Sequence, residues 1–401
     1  MNTSRFVGVA SLLVVLAAVF AACGGSTSTA TPNAPPTDAG TTDVAQQETS
    51  TGTDADPPTD AGNLPNSDAG PITAPGNTWT WVPFGDSKCR SGNPTGIGVN
   101  VNPASTKLMI YLEGGGACFN AITCGQNLAS FADAAFALWV TQRGSTGIFS
   151  RDDAANALKD WSFVYVPYCT GDVHAGNNPA GTPAGLTQSQ VFVGYANVGL
   201  YLKRIVPTFP NATQVLLTGI SAGGFGAAAN YVQVQKAFGA IPVDMLDDSG
   251  PTMQDPYFAS CLQDLVRKLW NLDATVLADC GSACTPPNFL LSSNIQLAKT
   301  YPNRKFGLMD SVNDGTISNF LGFGAQNCGG FTPIPPDTYQ AGLMDIRTQL
   351  TSYPNFGTFY FPGGQHTSLV GATYDTRTAG TTKLTDWVSA FVTGTVSNVG
   401  P

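Results

Sequence analysis

Histidine is nearly missing from this chain: its 401 residues hold two, His174 and His366. Glutamate is as scarce, with only Glu48 and Glu113. Lysine and arginine together number 18 against 27 acids, a formal net charge of −9. Each shortage excludes something. Two isolated histidines cannot build a histidine-rich metal centre. So little positive charge leaves no electrostatic footprint for nucleic acid, and no such partner is expected. The one extended apolar run, Phe6 to Ala22, is too short and too rich in small residues at its end for a comfortable membrane span.

That run follows Met1-Asn2-Thr3-Ser4-Arg5 and ends at Cys23, the layout of a secretory leader over residues 1–23. Ala21-Ala22-Cys23 resembles the bacterial lipoprotein cleavage box, in which the cysteine becomes the point of lipid attachment. Gly24 and Gly25 follow it rather than Asp, which favours an outer-membrane, cell-surface destination over inner-membrane retention. The membrane would then be engaged only through the anchor at Cys23. The alternative is plain secretion with Cys23 discarded.

Residues 24–76 are Thr, Ser, Pro, Ala, Gly and Asp with few large apolar side chains. Pro36-Thr37-Asp38-Ala39-Gly40 recurs as Pro58-Thr59-Asp60-Ala61-Gly62, and more loosely as Asn66-Ser67-Asp68-Ala69-Gly70. Such a segment cannot bury enough apolar surface to offset its ordering entropy, so a disordered tether is expected. Seven acids and no Lys or Arg fall within residues 24–78, so most of the net charge resides there.

Residues 77–398 are apolar enough for one large domain. Beyond Cys23 the chain carries eight cysteines, and an even number in an exported protein favours disulfides. Zinc is the rival reading for Cys280 and Cys284, but no second cysteine pair or histidine cluster accompanies them. Within the domain, compact apolar runs end in glycine or acid turns: 107–112, 162–166, 214–218, 243–246, 305–309 and 357–361. Their length and their β-branched or aromatic content predict buried strands, with an edge strand around Trp79 and Trp81 opening the domain. Between them, 191–205 and 222–238 carry helical periodicity. Strand and helix in alternation predict an α/β architecture, a mostly parallel sheet with helices on both faces, whose sites form at the carboxyl ends of the strands.

Gly219-Ile220-Ser221-Ala222-Gly223 falls at such an end. A serine on a sharp strand-to-helix turn exposes its Oγ, and flanking glycines are needed where a Cβ would strike the neighbouring strand and helix. The base is nearly forced by scarcity, because only His366 lies C-terminal to Ser221. Serine, then acid, then histidine is the chain order of α/β-hydrolases. Asp314 is the first choice for the acid, with Asp310 or the pair Asp247 and Asp248 as alternatives; any of them would orient the imidazole and stabilise its charged form. Glu113-Gly114-Gly115-Gly116-Ala117 follows an apolar strand and offers backbone N–H groups which, with that of Ala222, would make an oxyanion hole. Glu113 is expected as a hydrogen-bonded anchor for that loop.

Four separated motifs then bring a family into view. Leu112–Asn120 with Cys124, Pro167–Gly176, Gly219–Gly224 and Asp248-Ser249-Gly250 together resemble the pectin acetylesterase/Notum family of carboxylesterases. The resemblance implies an α/β-hydrolase fold and a cofactor-independent, metal-free serine esterase with catalytic Ser221, Asp314 and His366. It implies an oxyanion hole at Gly115, Gly116 and Ala222, and bridges Cys118–Cys124 and Cys89–Cys169. Pairing among Cys261, Cys280, Cys284 and Cys328 stays open among three possibilities. Gly116 stands where animal members carry a bulky aromatic residue, which weakens the transfer of their lipid-pocket specificity. His174 stands where they carry Trp, and with Asp172 it is either a substrate contact or a brace for its own turn. The expected reaction is removal of acetyl or other short acyl groups from an extracellular polysaccharide such as pectin, through an acyl-enzyme. The alternatives are a lipase or polyester depolymerase with a larger apolar pocket, and a surface glycan-binding protein on a catalytically dead hydrolase fold.

Overall fold

Eight strands line up into one sheet in a computed structural model that describes residues 64–401. They are β1 (Thr80–Phe84), β2 (Thr95–Asn100), β3 (Lys107–Leu112), β4 (Ser162–Val166), β5 (Gln214–Ile220), β6 (Val243–Asp248), β7 (Phe306–Ser311) and β8 (Phe356–Phe361). Their spatial order is β1-β2-β4-β3-β5-β6-β7-β8. β2 runs antiparallel to both β1 and β4, and every pairing from β4 onward is parallel. Two small two-stranded sheets, Asn178–Gly181 with Gln190–Phe192 and Thr378–Ala379 with Thr382–Lys383, lie apart from it. This is the α/β-hydrolase arrangement expected.

Strand period explains why the central runs are apolar throughout. Leu108, Ile110 and Leu112 join the core on one face of the sheet, whereas Met109 and Tyr111 join the core on the other. The second face is covered by α1 (Asp133–Arg143) and, at the C-terminus, by a helix that contributes Trp387, Val388 and Phe391. The first face is covered by α2 (Gly194–Thr208), α3 (Ala222–Phe238), α4 (Ser260–Trp270), α5 (Phe289–Thr300), α6 (Gly315–Leu321) and α7 (Pro336–Leu350); the C-terminal helix is α8 (Leu384–Thr393). α3 begins Ala222-Gly223-Gly224, and these small residues let it lie closely over β5 and β6.

β2 was not expected as a strand, because Thr95-Gly96-Ile97-Gly98-Val99-Asn100 carries two glycines. The structure supplies their reason. A Cβ on Gly96 would fall on the Val82 carbonyl, and one on Gly98 would fall on the Phe136 ring. Glycine here marks close approach by neighbours rather than a break.

The leader, Cys23 and the tether as far as residue 63 lie outside the described residues. Residues 64–76, expected as the end of the tether, are instead packed on the domain. The Asp86 carboxylate accepts both the N–H (3.0 Å) and the hydroxyl (2.6 Å) of Ser67, the Ile72 N–H donates to Thr208 Oγ1 at 2.7 Å, and Arg204 Nε donates to the Gly70 carbonyl at 3.0 Å. Ile72 is buried in the core, so one apolar side chain and a few polar contacts anchor a segment whose composition reads as unstructured.

Four disulfides close the fold: Cys89–Cys169, Cys118–Cys124, Cys261–Cys328 and Cys280–Cys284. The first two are those the resemblance implies, and the last two resolve the open three-way pairing. Cys280 and Cys284 are thereby consumed as a bridge and hold no thiolate for a metal. Such a set of bridges fits an oxidising, extracellular setting.

Candidate active site

The carboxyl ends of β3, β5, β6, β7 and β8 lie along one edge of the sheet, and each delivers one part of a site there. Ser221 leaves β5 with φ 56° and ψ −121° and caps α3. A non-glycine residue at positive φ is held only where its surroundings insist. Here the insistence is visible: the Ser221 N–H donates to the Asp248 carbonyl at 2.7 Å, and its own carbonyl accepts from Gly224 and Phe225. A Cβ on Gly219 would collide with the Gly223 backbone, and one on Gly223 with the Leu112 carbonyl. Both glycines of the motif are therefore required by sterics.

Asp314 follows β7 and caps α6. Its Oδ1 accepts the N–H groups of Thr316 and Ile317, each at 2.9 Å, which leaves Oδ2 for His366 Nδ1 at 2.7 Å. Asp314 is fully buried, while the imidazole keeps 19% of its side-chain surface. The histidine loop is pinned on two sides. Gly363 and Gly364 accept from Asn313 and Gly315, and beyond the histidine Asp248 Oδ2 accepts the N–H groups of Ser368 and Leu369, both at 2.7 Å. Asp248 thus touches the serine turn through its backbone and the histidine loop through its carboxylate.

The other acid candidates are occupied elsewhere. Asp310 Oδ2 accepts from Tyr339 at 2.6 Å, and burial, reinforced by the nearby Asp314 charge, pushes its carboxyl well above the usual range. Asp247 Oδ1 accepts the Gly250 N–H at 2.8 Å, and burial raises its pKa too. Of the four acids weighed, only Asp314 meets the imidazole by a hydrogen bond.

The glycine loop after β3 has Gly115 at φ 148° and Gly116 at φ 80°. Asn127 Nδ2 donates to the Gly115 carbonyl, and Tyr168 donates its hydroxyl to the Gly116 carbonyl at 2.9 Å. In a trans peptide N–H and C=O point oppositely, so fixing these carbonyls aims the N–H groups of Gly116 and Ala117 the other way. Among the described residues, the N–H groups of Gly115, Gly116 and Ala117 donate to no protein acceptor. Ala222, the first residue of α3, has an N–H that the helix itself leaves unpaired. Glu113 anchors the loop as expected: Oε2 accepts Trp139 Nε1 at 2.7 Å, and Oε1 accepts the Gly114 N–H (3.2 Å) and the Tyr111 hydroxyl (3.3 Å).

His174 and Asp172 are buried, with their polar atoms hydrogen-bonded within the protein. His174 is 2% exposed, and its Nε2 lies 2.9 Å from the Glu113 carbonyl. Burial lowers its pKa to about 4, so near neutral pH the ring is uncharged and donates Nε2–H to that carbonyl. Asp172 is fully buried, accepting from Thr170 (2.6 Å) and from the Gly194 N–H (2.8 Å). Both brace backbone: Asp172 its own turn, His174 the glycine loop.

Beside Ser221 opens a cavity of about 840 Å³, mouth included. Gly116, Ala117, Ser221 and Ala222 form its polar end, and beyond them the walls are apolar, with Phe225, Phe258, Leu262, Trp270 and Phe320 prominent. The helices supplying those walls are spread over 100 residues of chain, and no local motif announces them. Asn127 and Tyr168 were likewise missed, because a side chain that orients a distant carbonyl leaves no pattern of spacing.

A family model described as pectinacetylesterase matches residues 85–294. The chain is 32% identical over 155 residues to the palmitoleoyl-protein carboxylesterase notum2 of Xenopus laevis, covering 36% of this chain and 30% of that one. It is 29% identical over 177 residues to the human palmitoleoyl-protein carboxylesterase NOTUM, covering 40% and 34%. It is 33% identical over 95 residues to an inactive palmitoleoyl-protein carboxylesterase, notum1b of Danio rerio, covering 23% and 67%. The matched stretch spans about a third of the length of the first two relatives.

Proposed function

This chain belongs to the pectinacetylesterase family, and from that premise we propose that it is a serine carboxylesterase whose preferred acyl group is longer than acetyl. Ser221 Oγ attacks the ester carbonyl while His366 Nε2 takes its proton, and Asp314 holds Nδ1–H and stabilises the imidazolium. The carbonyl oxygen becomes an oxyanion facing the N–H groups of the glycine loop and Ala222. Collapse of the tetrahedral intermediate breaks the C–O bond, and His366 returns the proton to the departing alcohol. Water then attacks the acyl-Ser221 ester by the same route, releasing a carboxylic acid and restoring the serine.

The apolar cavity beside Ser221 carries the statement about acyl length. Beyond its polar end the walls are apolar side chains, as in sites that enclose a small molecule. A two-carbon acetyl group would leave most of those apolar walls uncovered, whereas a hydrocarbon tail gains about 0.8 kcal/mol for each methylene it buries against them. Gly116 in place of an aromatic residue was expected to weaken a lipid preference. Gly116 lines only the polar end of the cavity, and the apolar walls beyond it, from α3, α4, α5 and α6, support one nonetheless. The similar palmitoleoyl-protein carboxylesterases of Xenopus laevis and human are named for a long acyl group, which agrees with this reading.

Removal of short acyl groups from a polysaccharide is the second reading, favoured by the description of the family model. The dead-hydrolase reading has a precedent in the inactive notum1b relative; against it stand the Ser221 turn and the Asp314–His366 hydrogen bond. Export, with the domain held at the cell surface through Cys23 and the following tether, is part of the proposal.

The test is kcat/KM for p-nitrophenyl esters from acetate to palmitate. We expect an optimum beyond butyrate, and abolition of both turnover and fluorophosphonate labelling by Ser221→Ala. An optimum at acetate overturns the long-acyl assignment; undiminished labelling of Ser221→Ala overturns the nucleophile.

A further inference from the structure

A second cavity of about 490 Å³, mouth included, adjoins the one beside Ser221. The two share four lining residues, Ala228, Ala229, Val276 and Ser293. Residues that line both spaces stand between them, and none of these four is larger than valine. Ala228 and Ala229 come from α3, Ser293 from α5, and Val276 from the helical turn after α4. Ser293 turns its hydroxyl back to the Leu290 carbonyl at 2.7 Å, so it offers an acyl tail no unpaired polar atom.

Beyond the wall the chemistry changes. In the second cavity the polar Asp279, Gln296 and Thr300 stand beside the apolar Val232, Leu297 and Tyr301, a more polar lining than that of the first. The Asp279 carboxylate is held by Lys236 Nζ at 3.2 Å and by the Tyr195 hydroxyl, and Gln296 Nε2 donates to Thr300 Oγ1 at 2.9 Å. A methyl terminus forced among these groups would desolvate them and return no hydrogen bond. An apolar chain therefore has both a steric and a polar reason to end at the wall.

On the reading of this site as a long-acyl esterase, we propose that Ala229, Val276 and Ser293 form the floor of the acyl cavity and set the longest chain it accepts. The substrate class is an unbranched fatty-acyl ester with an apolar terminus. Enlarging a floor residue should shorten the limit, and trimming one should extend it toward the second cavity. Each methylene that no longer fits should lower kcat/KM about fourfold, the equivalent of one buried CH₂.

The experiment is the p-nitrophenyl ester series from acetate to stearate with wild type, Ala229→Leu and Val276→Ala. Each profile is normalised to that enzyme's own butyrate rate, so a loss of folded protein cancels. The expected result is an optimum moved to shorter chains in Ala229→Leu and to longer chains in Val276→Ala. General damage cannot produce opposite shifts. If wild type prefers long chains but the variants do not shift in opposite directions, the floor assignment is overturned and the long-acyl reading stands. If wild type cleaves nothing longer than butyrate, the long-acyl reading falls and the floor with it.

Discussion

His366 Nδ1 lies 2.7 Å from Asp314 Oδ2, whereas Asp310, four residues earlier and at the end of the same strand, spends its carboxylate on Tyr339. Strand geometry separates the two acids. Asp310 still belongs to β7 and points into the helix layer, and Asp314 comes after the chain has turned to cap α6. Replacing Asp314 by Asn should keep the fold but offer an amide where a charge is needed. A fall in kcat of about 10³–10⁴ is expected, as for the same change in other triads. Asp310→Asn should be mild, because burial already holds that carboxyl high in pKa and an amide oxygen can still accept from Tyr339. Steady-state kinetics of the two variants decide the matter, and the reverse ranking would move the acid.

Asp248 calls for a different comparison, because its carboxylate accepts two backbone N–H groups from the histidine loop without touching the imidazole by a hydrogen bond. Burial pushes its pKa up, against the pull of those N–H donors. Both donors meet the same oxygen, so an Asn side chain can satisfy them, and an Ala cannot. Asp248→Asn should retain activity within roughly tenfold, while Asp248→Ala should lose roughly a hundredfold in kcat with KM little changed, through misplacement of His366. A catalytic acid would instead show Asn and Ala equally crippled.

Parts of this site were legible in the sequence because sterics or scarcity fixed them. Gly219 and Gly223 flank Ser221 because any side chain there meets backbone, and that requirement is written in three letters. His366 followed from the lack of alternatives, and Asp314 from its place after a strand. The strands of the parallel core were legible too, since burial on both faces makes them apolar without interruption. What escaped was set by distant partners. β2 hides behind glycines that exist only because Phe136 and β1 press against it. Residues 64–76 share the tether's composition, yet Ile72 and Ser67 find partners on α2 and at Asp86. The acyl cavity is assembled from helices far apart in the chain, so its size could be neither read nor excluded beforehand.

His174 predicts a pH dependence of stability. Its folded pKa is lowered to about 4 from 6.5. Between these values the unfolded chain binds a proton that the folded chain refuses, so stability is fully present above about pH 6.5 and is lost as the pH falls toward 4. By pH 5 this one group should have removed about 2 kcal/mol. The buried acids act with opposite sign, since raised carboxyl pKa values make the folded state the better proton binder. A difference measurement isolates the histidine. His174→Gln keeps an N–H for the Glu113 carbonyl but cannot titrate, so in urea denaturation its stability relative to wild type should rise by about 2 kcal/mol from pH 7 to pH 5. An unchanged difference would mean that the buried imidazole does not resist protonation.

Tyr168 tests whether the glycine loop is held ready for the oxyanion. Its hydroxyl donates to the Gly116 carbonyl at 2.9 Å and accepts the Val173 N–H at 2.8 Å. Tyr168→Phe removes both bonds and leaves the ring against Gly115, where a Cβ would meet it at 2.9 Å. The peptide between Gly116 and Ala117 then loses one of the constraints that aim its N–H. Deleting an oxyanion donor outright costs about 10²–10³ in kcat. Loosening one should cost less, roughly tenfold, with KM nearly unchanged because ground-state binding resides in the apolar cavity. A paired rise in KM at constant kcat would place Tyr168 in substrate binding instead, and an unaltered kcat would show that Asn127 and the backbone hold the loop without it.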